Sequence, residues 1–206
     1  MTAVKICGLM NEGDVLAARD ADHLGFVIAT GTRRSLDLPT AKRLLSLAER
    51  PTVAVTTSAD PKFIARIASE LRPAAVQLNG PMDRRALKQV REAVDCQVWL
   101  ALPISCDLPS LDRELLEMAD CVVLDTAIPQ GGGSGLLHDH RISARVRDEL
   151  RGKKTSLAGG LTPENVAEAI SMVRPDIVDV SSGVETGGRK DAIKIERFIG
   201  EVRRCQ

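Results

Sequence analysis

Two apolar runs in this chain end on residues able to move protons. Val4-Lys5-Ile6 is followed by Cys7, and Val122-Val123-Leu124 by Asp125. A cysteine in that setting has two readings, a small buried hydrophobe or a thiol poised to act as thiolate. The aspartate has fewer, because a carboxylate at the edge of a core needs a partner, water or a chemical role. Small residues form a second constellation: Gly159-Gly160 and Ser182-Gly183 each close an apolar run. Either pair alone reads as an ordinary turn, but on adjacent strands they let backbone N–H groups approach an anion such as a phosphate. Arg33-Arg34 is either a solvated loop or a planar fork for a carboxylate. His138-Asp139-His140 lacks a source for a third metal ligand, so it is read as a helix-capping Asp139 between solvated histidines, and no metal is expected.

Such groups must be held by a scaffold. Short β-branched runs alternate here with helical spacings, the pattern of parallel strands joined by helices. Strands are expected at 3–7, 23–29, 52–57, 74–79, 96–102, 120–126, 154–159 and 176–182. Between them Ile64, Ile67, Ala68 and Leu71 fall at i, i+3, i+4 and i+7, as do Val166, Ala169, Ile170 and Val173. Ile195, Phe198, Ile199 and Val202 predict a closing helix. Asp60-Pro61 and Thr162-Pro163 each place a side-chain acceptor at an N-cap and a proline at N1. The expected fold is α/β, a single (β/α)8 barrel over 1–206, with Cys7 and Asp125 at the strand ends where such barrels do chemistry. An open doubly wound sheet is the alternative, but a G-x-G-x-x-G turn after the first strand is missing. Irregular stretches fall at 30–36, 103–109, 127–137 and 183–190, and the glycines at 131–135 and 187–188 look mobile or ligand-shaped.

Composition narrows the function classes. Lys plus Arg and Asp plus Glu each total 28, so no net field draws the chain to nucleic acid or an anionic membrane. Phe26, Phe63, Trp99 and Phe198 are the only aromatic residues, too few to stack bases. Cys7, Cys96, Cys106, Cys121 and Cys205 show no paired short spacing, which fits a reducing cytoplasm rather than a disulfide framework or a zinc site. Met1 leads directly into Val4-Lys5-Ile6-Cys7 without a basic-then-apolar leader, and no apolar run approaches the roughly 18 residues of a membrane span. A small, locally recognised ligand is the partner expected.

In order along the chain, these segments resemble the phosphoribosylanthranilate isomerase family of tryptophan biosynthesis, a branch of aromatic amino acid biosynthesis. The resemblance spans almost the whole sequence. Lys5-Ile6-Cys7-Gly8-Leu9 is similar to the family's opening motif, Gly25-Phe26 with Arg33-Arg34 to its second strand and arginine-bearing loop, and Val76-Gln77-Leu78 to its fourth strand. Leu124-Asp125 with Gly132-Gly133-Ser134-Gly135 resembles its sixth strand and Gly-Gly-Thr-Gly turn. The fullest matches are Leu157-Ala158-Gly159-Gly160-Leu161-Thr162-Pro163-Glu164-Asn165 and Val178-Asp179-Val180-Ser181-Ser182-Gly183-Val184-Glu185, and Lys190-Asp191 with Lys194-Ile195 completes the tail. Asn79 stands where the family commonly has His, and His138-Asp139-His140 where it commonly reads Phe-Asp-Trp.

The resemblance implies a TIM barrel of ribulose-phosphate-binding type and an Amadori rearrangement of N-(5-phosphoribosyl)anthranilate to the 1-amino-1-deoxyketose phosphate. By the same resemblance Cys7 is the general base, Asp125 the general acid, Arg34 and Asp179 contact the substrate, and Gly159, Gly160, Ser182 and Gly183 hold its phosphate. The iminium formed on ring opening is itself the electron sink, so no cofactor is expected. An ordinary Asp is ionised at neutral pH and an ordinary Cys mostly thiol. Burial is expected to raise Asp125, and Lys5 or backbone dipoles to lower Cys7. The rival readings are a paralogue acting on another phosphoribosyl amine, an indole-glycerol-phosphate synthase, and a non-catalytic ribose-phosphate sensor. A histidine-pathway isomerase typically uses two aspartates where Cys7 stands here, the chain is short for the synthase, and a sensor has no use for a paired acid and base.

Overall fold

A computed structural model describes residues 1–106, 108–126, 139–150 and 152–205. All eight expected runs form strands, and each lies parallel to both neighbours. β1 (Ala3–Cys7) pairs with β2 (His23–Ile28), followed around the sheet by β3 (Thr52–Thr56), β4 (Ala75–Leu78), β5 (Gln97–Ile104), β6 (Cys121–Thr126), β7 (Lys154–Leu157) and β8 (Ile177–Val180). β8 returns to β1, with Lys5 opposite Asp179, and this pairing closes the barrel and rules out the open sheet. Among the described residues eight α-helices form: α1 (Glu12–Ala17), α2 (Leu38–Leu45), α3 (Pro61–Leu71), α4 (Arg84–Ala93), α5 (Arg113–Glu117), α6 (His140–Glu149), α7 (Val166–Val173) and α8 (Ala192–Arg204).

Alternation along the strands separates two cores. One face of each strand (Val4 and Ile6, Leu24 and Phe26, Val122 and Leu124) packs with Ile64, Ile67, Val166, Phe198 and other helix residues at the predicted spacing. The other face fills the barrel with Val53, Val55, Ala75, Trp99, Cys121, Val123 and Ile177, among which Cys7 and Ala158 sit. Trp99 meets His23 edge-on, ring centroids 5.3 Å apart. The barrel's filling is therefore apolar except where a strand brings in a group such as Lys5, Gln77 or Asp179.

The sequence expectations need three adjustments. β5 runs through Pro103 to Ile104, because Val98, Leu100, Leu102 and Ile104 keep alternating toward the helices past the proline. Asp60 caps α3 as expected, accepting from the Lys62 N–H at 3.0 Å. Thr162 instead caps a separate turn: its hydroxyl accepts from the Glu164 N–H at 3.2 Å, and regular helix begins only at Val166. Gly187 and Gly188, both at positive φ, form the turn of a short hairpin between Glu185–Thr186 and Arg189–Lys190, a conformation a two-residue hairpin loop requires. Asp139 caps α6 by accepting from the Arg141 N–H at 2.9 Å. The glycine run at 131–135 and His138 lie outside the described residues.

Candidate active site

β1 turns Lys5 and Cys7 into the barrel because alternate residues of a strand share a face. The cross-strand partner of Cys7 is Gly25, where a Cβ would stand 2.9 Å from the Cys7 Cα and 3.0 Å from its Sγ. Only glycine leaves room for the thiol, which gives the Gly25-Phe26 motif a steric cause. Gly8 lies at φ +78°, and a Cβ there would come within 2.5 Å of the Arg34 Cδ. The turn after Cys7 thus lets Arg34 lie against the backbone beside the thiol. The Ser181 hydroxyl donates to the Cys7 carbonyl oxygen at 3.0 Å, tying the end of β1 to the end of β8.

Lys5 is fully buried, and its Nζ lies 2.6 Å from Asp179 Oδ2. The other carboxylate oxygen, Asp179 Oδ1, is buried with no hydrogen-bond partner among the described residues. Asp125 closes β6 on the same inward face as Val123. Burial, reinforced by the charge of Asp179, pushes its carboxyl up to about 6. Burial also pushes the Cys7 thiol up, and the charges of Lys5 and Lys190 oppose that without overcoming it. The raised Asp125 agrees with the expectation, whereas the lowered Cys7 does not. Desolvation outweighs the nearby cations.

Arg34 was expected to be a fork for a carboxylate, and that fork already grips one. Its Nε and Nη2 donate to Glu185 Oε1 and Oε2 at 2.8 and 3.0 Å. Arg33 pairs with the same carboxylate and donates to the Gly188 carbonyl at 2.6 Å, but its side chain is 52% exposed against 18% for Arg34. Lys190 Nζ lies 3.1 Å from Glu185 Oε1 and donates to the Ser181 carbonyl at 2.8 Å. Although burial works the other way, the Arg34 hydrogen bonds and Lys190 hold the Glu185 carboxyl down to about 2. Glu185 was read from the sequence only as part of a motif. The only local hint is that Lys190 follows five residues later, since the arginines that Glu185 also binds lie more than 150 residues away.

The two small-residue loops come together as β7 and β8 pair. Gly159 and Gly160 lie at φ +89° and +66°, and a Cβ on Gly159 would stand 2.1 Å from Thr126 Oγ1. Ser182 and Gly183 open a 3₁₀ turn (Ser182–Val184), and a Cβ on Gly183 would stand 1.8 Å from the Leu161 carbonyl oxygen. Asn165 braces the first loop, accepting from the Thr162 N–H at 2.8 Å and donating to the Gly160 carbonyl at 3.0 Å. No described residue accepts from the backbone N–H of Gly159, Gly160, Ser182 or Gly183. Four donors with no partner among the described residues, in crowded turns that need glycine at three of the four positions, suit an anion.

A cavity of about 500 Å³ opens beside Asp125, walled by Met82, Leu100, Leu102 and Leu115 with Asn79 at its edge. Asn79 Oδ1 accepts from Gln77 Nε2 at 2.9 Å, which fixes the amide at the position where the family commonly has His. A larger depression of about 730 Å³ lies at the opposite end of the barrel, where Arg91 pairs with Asp120 and Lys153 with Glu117. The reactive groups lie at the other rim, away from this depression. Among the described residues no group of three or more His, Cys, Asp and Glu side chains is placed to hold a metal ion. No described helix is long and apolar enough to cross a membrane.

A closed parallel barrel with a thiol and a raised carboxyl at its strand ends, beside two glycine-bearing loops, has the architecture of a barrel enzyme whose site lies at the strand C-termini. Residues 4–201 match the family model described as N-(5'phosphoribosyl)anthranilate (PRA) isomerase, and the chain belongs to that family. The N-(5'-phosphoribosyl)anthranilate isomerase of Methanothrix thermoacetophila is 42% identical over 214 residues, covering 100% of each chain. Among solved structures, the phosphoribosyl anthranilate isomerase of Thermotoga maritima is 34% identical with a TM-score of 0.85, covering 99% of this chain and 100% of that one. A second structure of such an isomerase, in complex with reduced 1-(o-carboxyphenylamino)-1-deoxyribulose 5-phosphate, is 32% identical with a TM-score of 0.81 and the same coverage.

Proposed function

We propose that residues 1–206 act as one catalytic domain that isomerises N-(5-phosphoribosyl)anthranilate to 1-(2-carboxyphenylamino)-1-deoxyribulose 5-phosphate, the Amadori step of tryptophan biosynthesis. The observation that carries this is the pairing of an inward thiol with an inward carboxyl held near pH 6, at the rim that carries the glycine cradle. Asp125, protonated, gives its proton to the ribose ring oxygen. The C1–O bond breaks, and the anthranilate nitrogen's lone pair forms the C1=N iminium. Cys7, as thiolate, removes the proton on C2; the C2–H electrons form the C1=C2 bond and the C1=N π electrons return to nitrogen, giving an enolamine. Tautomerisation returns a proton to C1 and leaves a ketone at C2, so C2 is oxidised as C1 is reduced within one molecule.

The other site residues fit the remaining parts of the substrate. Gly159, Gly160, Ser182 and Gly183 offer backbone donors to the phosphate, and the buried, unpartnered Asp179 Oδ1 can accept from a sugar hydroxyl. Arg34 Nη1 engages no described residue, and with the outer edge of Nη2 it can fork the anthranilate carboxylate while Glu185 holds the inner edge. The partner is a small phosphorylated sugar amine, in line with the phosphorylated ligand of the solved relative. All five cysteines are free thiols, which supports a cytoplasmic setting. The test generates phosphoribosylanthranilate in place and follows loss of its fluorescence coupled to ketose formation. Catalysed conversion is expected. A folded protein that binds ribose phosphates without turnover would instead make it a sensor or a paralogue with another amine as substrate.

A further inference from the structure

We propose that the buried Lys5–Asp179 ion pair is a positioning device that polarises both reactive groups: Lys5 stabilises the Cys7 thiolate, and the Asp179 carboxylate keeps the proton on Asp125. This inference rests on the reading of Cys7 as base and Asp125 as acid. Its physical starting point is the cost of the pair. Two charges taken out of water are often no more stabilising than apolar side chains of the same volume. The barrel around them is filled with Val53, Val55, Trp99 and Val123, so an apolar pair would suit the packing as well. The geometry supplies a reason for the charges. Lys5 shares the inward face of β1 with Cys7, and Asp179 is its cross-strand partner on β8, 2.6 Å away. Asp179 spends only one oxygen on Lys5.

The charges around Cys7 are few enough to assign. β1 contributes Lys5, β8 contributes Asp179, and Lys190 approaches from the hairpin after β8. β2 contributes His23, whose pKa burial and the charge of Lys5 lower, while Arg34, the neighbour of Gly8, is spoken for by Glu185. β3, β4 and β5 face the interior with Val53 and Val55, Gln77, and Trp99, all uncharged, and Lys154 enters at the far end of β7. For Asp125 the charged neighbours are Asp179 and Lys5. The cation acts first on the thiol and the carboxylate first on the acid. One buried pair thus biases two groups in opposite directions, as the reaction demands.

The variants are Lys5→Met, Lys5→Arg, Asp179→Asn and Lys5→Met/Asp179→Asn, the last removing both charges so that neither is stranded in the core. The first readout is the pH dependence of iodoacetamide alkylation at Cys7, followed on its peptide by mass spectrometry, which needs no substrate. The second is the acidic limb of kcat/KM, which reports the free enzyme. Lys5→Met is expected to slow alkylation near neutral pH by about tenfold, one pKa unit, and Lys5→Arg to restore most of it. Asp179→Asn should accelerate alkylation and move the acidic limb down by roughly one unit. The double variant should alkylate more slowly than wild type and also show the lowered limb, whether or not Lys5→Met alone folds. A folded double variant with both profiles unchanged would overturn the proposal and leave the pair purely structural. Failure of the underlying reading looks different: Cys7→Ser or Asp125→Asn would then keep wild-type turnover.

Discussion

Cys7 must give up a proton that burial holds on it, and Asp125 must keep one that even its raised pKa releases at neutral pH. Burial keeps the proton on the thiol, and Asp125 at about 6 has lost most of its proton by neutral pH. The reactive form, thiolate with carboxylic acid, carries the same total charge as the abundant form with the proton exchanged. Its fraction is therefore constant between the two titrations. Below pH 6 both groups are protonated and the thiolate is scarce, so kcat/KM should climb with pH up to about 6 and then level off. It should fall again only once Cys7 has titrated, above its ordinary value. Asp125→Asn should cost about a hundredfold or more in kcat/KM and abolish the limb near 6, while Cys7→Ser should lose a similar factor. Rate profiles of the two folded variants, each with circular dichroism as a check on the fold, decide the matter; near wild-type rates in both would mean a different acid and base. Arg34 belongs to the same scale. Arg34→Ala should weaken the anthranilate-bearing substrate far more than ribose 5-phosphate, and Arg33→Ala, whose side chain is half exposed, should affect both little. Equal losses for both ligands in titrations of Arg34→Ala would put that arginine at the wrong end of the substrate.

Strand ends are where these side chains gain their settings, and the loops after β7 and β8 depend on backbone that side chains would obstruct. Gly160 sits at φ +66°, a conformation strained for any β-branched residue. Gly160→Val should weaken binding of ribose 5-phosphate by roughly tenfold or more, the loss of one or two hydrogen bonds to a charged ligand. Calorimetric titration giving wild-type affinity in a folded variant would move the phosphate elsewhere. Elements of this kind were legible in the sequence because apolar spacing records them: every strand start agrees within a residue, and Cys7 and Asp125 stand out as polar ends to apolar runs. What escaped was set by contacts between distant segments. Glu185 joins the loop after β2 to the hairpin after β8, a link of more than 150 residues that no local pattern encodes. Thr162 looked like the start of α7 because a cap's local chemistry is the same for a lone turn as for a helix. The direction of the Cys7 shift is hidden for a related reason: the cations near it in sequence are visible, but the depth of its burial is not.

Across the whole barrel, the group that chemistry requires is also one that folding must tolerate. Asp125 is half-buried, and its carboxyl is raised to about 6 from an ordinary value of 3.8. A group whose folded pKa is raised adds stability that is complete below the unfolded value and is lost as pH rises through the folded one. Relative to a neutral side chain, Asp125 should therefore cost nothing at pH 3.5 and increasingly more between about 4 and 6, until above that range the folded barrel carries an ionised carboxylate with Asp179 nearby. Asp125→Asn removes that penalty while keeping the shape. The variant should be more stable than wild type at pH 7.5, by roughly 1–3 kcal/mol, and the advantage should vanish at pH 4 or below. Glu185, held down to about 2, works with the opposite sign: its contribution is present above the unfolded carboxylate value and is lost as pH falls toward 2. Because Asp125→Asn leaves Glu185 untouched, both proteins should weaken together at the acidic end, and only the gap between them should close. Urea unfolding of wild type and variant at pH 7.5, 6, 5 and 4 measures that gap directly. A gap that stays constant across the series would mean that Asp125 titrates alike in the folded and unfolded chains, and the acid would then lack the raised pKa its role requires.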